Sequence, residues 1–300
     1  MSFKLYSLGS SESEFEFSSR LCLTFDLHVL GPAIFSISPQ RVILMSSIFP
    51  LEIEEIILDL LAEDDYEGHS ALKVCSLVCQ SFLPICRKHI FGSISLRKVG
   101  STHAFERLLR ETPEIADYIR KLDYSIQTED LTSPSIQEAL KQISRLEFLS
   151  VQHHNWPRLD WSNNPIRPAL LHLLHLPTLT HFQVICINDF VVSDLIPCVN
   201  LQYLNIGLYT TVAAENTFPA ALPKHSIQPN EFVAGIGTAA AIMKLCTARR
   251  PDGKPIIDLG SLPKINVVFG NPNEGEAAQE LFKRCHVLTN AYISCKWRLH

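Results

Sequence analysis

Apolar residues at Ile53, Ile56, Ile57, Leu60 and Leu61 follow one another in steps of three, one, three and one, which is the spacing of a single helix face. Pro50 suits the first position of that helix, where its missing N–H costs nothing. Glu52, Glu54 and Glu55 then fall in the early turns, favoured by the positive end of the helix dipole. After an acidic turn, His69 and Ser70 lead into a second helical run carrying Leu72, Cys75, Val78 and Cys79. Ser81 is placed to cap a third helix whose first turn accommodates Pro84. So small a unit has too little interior to bury all of this apolar surface. The pattern therefore predicts that something else covers part of it.

Further along, Ser101 or Thr102 can cap a helix carrying Phe105, Leu108 and Leu109, and Thr112-Pro113-Glu114 opens another. From there a short helix alternates with a strand of the form Leu-x-x-Leu-x-Val. The copies are Ile119, Leu122, Tyr124; Leu146, Leu149, Val151; Leu179, Phe182, Val184; Leu201, Leu204, Ile206; Leu262, Ile265, Val267; and Leu288, Ala291, Ile293. They start 27, 33, 22, 61 and 26 residues apart, mostly near the leucine-rich-repeat period, and the long gap leaves room for one degenerate copy plus an insertion. One helix–strand unit cannot bury its own apolar face, so neighbours must stack into an array. Residues 208–258, rich in Pro, Gly and polar residues, read as a loop-rich insertion. The last copy ends close to His300 without a polar capping unit, so the end of the array is expected to be covered by more chain or by a partner.

The first region resembles the F-box, specifically the F-box-like proteins abundant in mushroom-forming fungi. Pro50, Glu52, Ile53, Ile57 and Leu61 match the opening Leu-Pro-x-Glu-Leu pattern and its spaced aliphatics, and Val78-Cys79-Gln80-Ser81-Phe82 matches the later Val-Cys-x-x-Trp. Phe49 stands where Leu is usual and Phe82 where Trp is usual, and the turn 62–70 is longer and more acidic than in the shortest members. The resemblance implies an α/β chain with a three-helix F-box-like unit at 45–96 and an irregular leucine-rich-repeat-like strand–helix solenoid at 97–300. It also implies a non-catalytic role, as substrate receptor of a Skp–cullin–F-box ubiquitin ligase. The Skp adaptor would dock on Pro50, Ile53, Ile57, Leu61, Val78, Cys79 and Phe82, and the array would hold a target protein. The alternative is a repeat scaffold in which the same helices only cap the solenoid, with Ile53 and Ile57 packed inward against Phe105 and Leu108.

Composition narrows the partners. A formal charge of −5 gives no electrostatic reason to expect nucleic acid, whose phosphates call for clustered Lys and Arg. Nine cysteines in no regular framework point to reduced thiols, hence an intracellular compartment, cytoplasm or nucleus. Residues 21–40 are apolar, but Asp26, His28 and Gly31-Pro32 spoil them as a membrane span. With seven serines and three glutamates in residues 1–19, and Met45 just ahead of the F-box-like region, the segment 1–44 is expected to be disordered or to lie outside the translated protein.

Candidate chemistry is sparse. Cys75, Cys79, Cys86 and His89 have loosely metal-like spacing, but Cys75 and Cys79 share the packing stripe of Leu72 and read as core cysteines. His153, His154, His172 and His175 lack a motif and read as histidines at the edge of the core. Gly235-Ile236-Gly237 lacks the third glycine and the Lys of a phosphate loop. No metal or other cofactor is expected. What remains is the array's outward face, where alternation places Ser150 and Gln152, His181 and Gln183, Tyr203 and Asn205, Lys264 and Asn266, and Asn290 and Tyr292. Ser150, Gln183, Tyr203, Asn205, Asn290 and Tyr292 are the expected target contacts.

Overall fold

A computed structural model describes residues 4–6, 50–63, 66–78, 80–153, 158–213, 218, 222–270 and 274–295. In chain order the elements are β1 (Lys4–Tyr6), α1 (Leu51–Glu63), α2 (Tyr66–Val78), α3 (Phe82–Phe91), β2 (Ser93–Leu96), α4 (Ser101–Glu111), β3 (Lys121–Ser125), α5 (Pro134–Lys141), β4 (Phe148–Gln152) and β5 (Leu159–Asp160). There follow α6 (Arg167–Leu174), β6 (His181–Ile185), β7 (Ile187–Asn188), β8 (Tyr203–Ile206), β9 (Glu231–Ala234), α7 (Ala239–Thr247), β10 (Lys264–Phe269), α8 (Gly275–Arg284) and β11 (Asn290–Cys295). Short 3₁₀ turns fill several of the crossovers, among them Pro113–Tyr118 and Val192–Leu195.

The fold is α/β, built on one parallel sheet in the order β1-β11-β10-β9-β8-β6-β4-β3-β2. From β2 to β11 each strand of this sheet lies beside the one before it in the chain. β5 and β7 pair separately at one end. Such a sheet needs a crossover on one side of every strand, and here α4, α5 and α6 pack side by side, as do α7 and α8. The repeated Leu-x-x-Leu-x-Val residues are the buried set: Leu149, Val151, Phe182, Val184, Leu204, Ile206, Ile265 and Val267 all lie under the helical layer.

Register is set by a recurring hydrogen-bond device. The Glu147 and Phe148 N–H groups both donate to the Arg120 carbonyl, those of Thr180 and His181 to Glu147, and those of Gln202 and Tyr203 to Thr180. Asn230 and Glu231 donate likewise to Gln202, all at 2.7–3.0 Å. Each strand thus begins level with its predecessor, and side chains line up in straight rows across the sheet.

Three expectations need correction. The segment 45–96, expected to be an F-box-like three-helix unit, ends in β2, because Phe91, Ile94 and Leu96 repeat the Leu-x-x-Leu-x-Val spacing and are buried. The expected insertion at 208–258 contains β9 and α7: Phe232 and Ala234 form the degenerate copy, and their strand pairs with both β8 and β10. Within 1–44, expected to lack structure, Lys4–Tyr6 pairs in parallel with Tyr292, Ile293 and Ser294, since the outer edge of β11 offers unpaired backbone groups.

Candidate functional site

Two surfaces stand out, and α1 carries the first. The Pro50 carbonyl accepts the N–H groups of Ile53 and Glu54 at 3.0 and 3.2 Å, which starts the helix where the sequence places it. The face that α1 turns into the bundle carries Glu54 and Leu58, both buried, with Leu61 and Ala62 packed partly against the core. Ser81 does not cap α3: its backbone is already helical, and its hydroxyl donates to Glu54 Oε2 at 3.3 Å, helping to satisfy a buried carboxylate. His89 Nε2 lies 2.7 Å from Asp59 Oδ1, tying α3 to α1.

The apolar stripe read from the sequence is the side that faces out. Leu51, Ile53, Ile56, Ile57 and Leu60 are exposed on α1, as are Val74, Leu77 and Val78 on α2. Burying the exposed half of such a side chain contributes about 1 kcal/mol, so the eight together could supply on the order of 8 kcal/mol before association costs. Ile53 and Ile57, 41% and 44% exposed, are not packed against Phe105 and Leu108, which corrects the capping arrangement. Among the other expected adaptor contacts, Pro50 is exposed and Leu61 and Phe82 are half-buried, while Cys79 lies outside the described residues.

The second surface is the outward face of the sheet. One row runs Lys121, Phe148, His181, Tyr203, Glu231, Lys264, Asn290. The Phe148 and His181 rings are 6.3 Å apart, and His181 stacks on Tyr203 at 5.6 Å with planes 26° apart. Burial, reinforced by Lys121, lowers the His181 pKa, so the ring between the two aromatics is neutral at pH 7. Lys264 Nζ pairs with Glu231 Oε2 at 2.9 Å and sits 6.0 Å from the Tyr292 ring centroid.

The adjacent row reads Asp123, Ser150, Gln183, Asn205, Val233, Asn266, Tyr292. Asn205 Nδ2 donates to the Tyr203 hydroxyl at 3.4 Å, while its buried Oδ1 has no partner among the described residues. At the β2–β4 end, Asp123 pairs with Arg97 and accepts from Gln152 at 3.3 Å.

Of the expected target contacts, Gln183, Tyr203 and Asn205 are half-buried and Asn290 and Tyr292 exposed. Ser150 is buried, which removes it as a contact: its short side chain lies between Asp123, Gln183 and Gln152. Sequence reasoning missed Phe148 and Glu231. The signal for both was there, since each immediately precedes an inward-facing apolar residue of its strand.

The remaining candidates resolve into packing. Cys75 is half-buried and Cys86 buried, with burial pushing the Cys86 thiol up to about 11. Among the described residues, no three His, Cys, Asp or Glu side chains are placed to share a metal ion. His172 is exposed on α6 and His175 just after it, where the His175 ring bonds the Asp194 carbonyl at 2.8 Å, and His153 is buried; His154 lies outside the described residues. The Gly237 N–H, which a phosphate loop would offer to a ligand, is taken by the Glu274 carboxylate at 2.8 Å. Among the described residues no helix is long and apolar enough to cross a membrane. Compared with known protein families, with curated proteins and with solved structures, the chain finds no match in any of the three.

Proposed function

We propose that this chain is the substrate-receptor subunit of a Skp–cullin–F-box ubiquitin ligase. The observation that carries the reading is the outward stripe of Leu51, Ile53, Ile56, Ile57 and Leu60 on a helix that begins Pro50-Leu51-Glu52 and is followed by Val78-Cys79-Gln80-Ser81-Phe82. Aliphatic side chains left in water at F-box-like spacing suit a helix face that completes its core with a partner. Pro50, Ile53, Ile57, Leu61, Val78, Cys79 and Phe82 form the Skp contact. The strands that follow, each stacked on its predecessor, serve as the leucine-rich-repeat-like array that holds the target protein.

The chain performs no bond chemistry in this role. Holding a target near the ligase's ubiquitin-loaded enzyme raises the local concentration of target lysines, and that proximity is the catalytic contribution. The compartment is one that keeps thiols reduced, cytoplasm or nucleus.

Co-expression with a Skp adaptor tests the proposal. The wild-type chain co-purifies with the adaptor, and the double substitution Pro50→Ala, Ile57→Asp abolishes the complex while leaving the sheet folded. A wild-type chain that emerges alone sinks the reading.

A further inference from the structure

We propose that the outer edge of β11 is a surface on which two copies of this chain join, sheet to sheet, and that Lys4–Tyr6 is the intramolecular guard that keeps it closed. The surface lies at the end of the sheet opposite β2 and is independent of adaptor docking.

β11 has the character of a strand meant to be covered. Edge strands commonly carry a charge, a proline or a very short length, which stops another chain from pairing with them. β11 has none of these: it is six residues long, and Asn290 to Cys295 include no charge and no proline. Its inward row is also incompletely covered. Ile265, Val267 and Phe269 of β10 are buried, yet their register partners Ala291, Ile293 and Cys295 are only half-buried. Lys4–Tyr6 pairs with Tyr292–Ser294 and stops short of Asn290, Ala291 and Cys295. β1 itself has two marks of a protected edge, a length of three residues and a lysine.

A second copy fits the whole edge. In antiparallel pairing about a two-fold axis at Ile293, Ala291 faces Cys295 of the second copy, Tyr292 faces Ser294, and Ile293 faces its own counterpart. Apolar residues then meet on the inward side, an aromatic ring meets a hydroxyl on the outward side, and no like charges are opposed. One patch serves both copies, as a two-fold interface requires. This pairing engages Ala291–Cys295, where β1 engages only Tyr292–Ser294. β1 prevails in the intact chain because its pairing is intramolecular and does not weaken on dilution, whereas joining two copies carries the cost of association. Leu5 stands level with Ile293 in register. A charge at position 5 therefore opposes the apolar row and frees the edge.

The test measures the mass in solution of the full-length chain at micromolar concentration. The wild type is expected to be a monomer, and Leu5→Asp to double that mass. A synthetic peptide of residues 2–8, added in excess, takes the place of β1 and returns the Leu5→Asp chain to the monomer. The same peptide carrying Leu5→Asp leaves the dimer intact. Adding Ile293→Asp to the Leu5→Asp chain also restores the monomer, because two carboxylates would face each other at the axis. Circular dichroism checks that this double variant folds; where it does not, the peptides decide. A Leu5→Asp chain that stays monomeric, a wild type that dimerises as readily, or assemblies larger than a dimer each overturn the proposal. So does a dimer that both peptides dissociate equally, or one indifferent to the unaltered peptide or to a folded Ile293→Asp variant.

Discussion

Glu274 fastens the turn after β9 to the turn after β10. Its Oε1 accepts the Gly237 N–H at 2.8 Å and its Oε2 that of Gly270 at 2.7 Å, while the side chain is buried. Both carboxylate oxygens are therefore occupied by successive units of the sheet. Glu274→Gln keeps one acceptor and turns an NH₂ toward the other N–H; Glu274→Ala leaves both donors unmet. Urea denaturation should show Glu274→Gln less stable by about 1–3 kcal/mol, and Glu274→Ala by more.

Gly237 supports the same junction sterically. Its φ is 76°, and a Cβ built there would stand 2.5 Å from Tyr209 Cδ1. Left-handed backbone costs an L-residue roughly 1–2 kcal/mol before that clash is counted. Gly237→Ala should therefore lower the unfolding free energy by at least about 1 kcal/mol, whereas at Gly275, where a Cβ would meet nothing within 4 Å, substitution by Ala should be close to neutral.

Adjacent residues on α1 should respond in opposite ways. Leu58 is 1% exposed, and Leu58→Ala should cost about 2–5 kcal/mol in chemical denaturation. Ile57→Asp changes an exposed position and should alter stability by no more than about 0.5 kcal/mol, yet remove adaptor binding. If Ile57→Asp unfolds the chain, the outward orientation of the stripe is wrong.

Asp194 is the hub of a buried polar cluster. Trp161 Nε1 donates to its Oδ2 at 2.7 Å, and Arg167 contacts both of its oxygens at 2.9 Å. Asp194→Ala leaves the indole N–H and the guanidinium without their acceptor, a loss of about 3–5 kcal/mol. The change should be visible as altered Trp161 fluorescence and a lower urea midpoint.

Asp130 gives a pH test. Burial, above all, raises its carboxyl pKa, against hydrogen bonds from Gln127, Thr102 and Tyr124 that lower it. With the folded-state pKa above the unfolded one, the native state takes up the proton first. Its stabilising contribution is then full below the ordinary carboxylate value and is lost as pH rises through the raised value. Asp130→Asn cannot titrate, and one amide oxygen can keep the 2.9 Å Gln127 and 3.0 Å Tyr124 contacts that now fall on Oδ2. Relative to this variant, the wild type should gain stability as pH falls across that interval. A difference independent of pH would rule out the titration.

Much of the sheet was legible because a strand buried on one side writes itself as period two, and Leu149, Phe182, Leu204 and Ile265 all fall where that pattern puts them. β2 was hidden because the first apolar residue of its repeat, Phe91, also ends α3. β9 was hidden because only Phe232 and Ala234 remain of its pattern, amid loop-forming residues. On α1, period identified an apolar stripe but could not say which way it faces. Leu58 offers a second apolar contact, and Ser81, from the turn before α3, helps make a buried Glu54 tolerable. That pairing spans 27 residues, beyond the reach of any local pattern.

The shared carbonyls at Arg120, Glu147, Thr180 and Gln202 make register hereditary: each strand takes its starting point from the one before. Deleting one residue inside a strand would turn that strand's outward side chains inward, whereas lengthening a crossover disturbs no row. Successive copies, the β9 copy included, can therefore stand anywhere from 22 to 33 residues apart and still present aligned side chains. A chain of this kind can vary freely in its connections while its outward face changes only by substitution, so new recognition can arise one side chain at a time without rebuilding the frame.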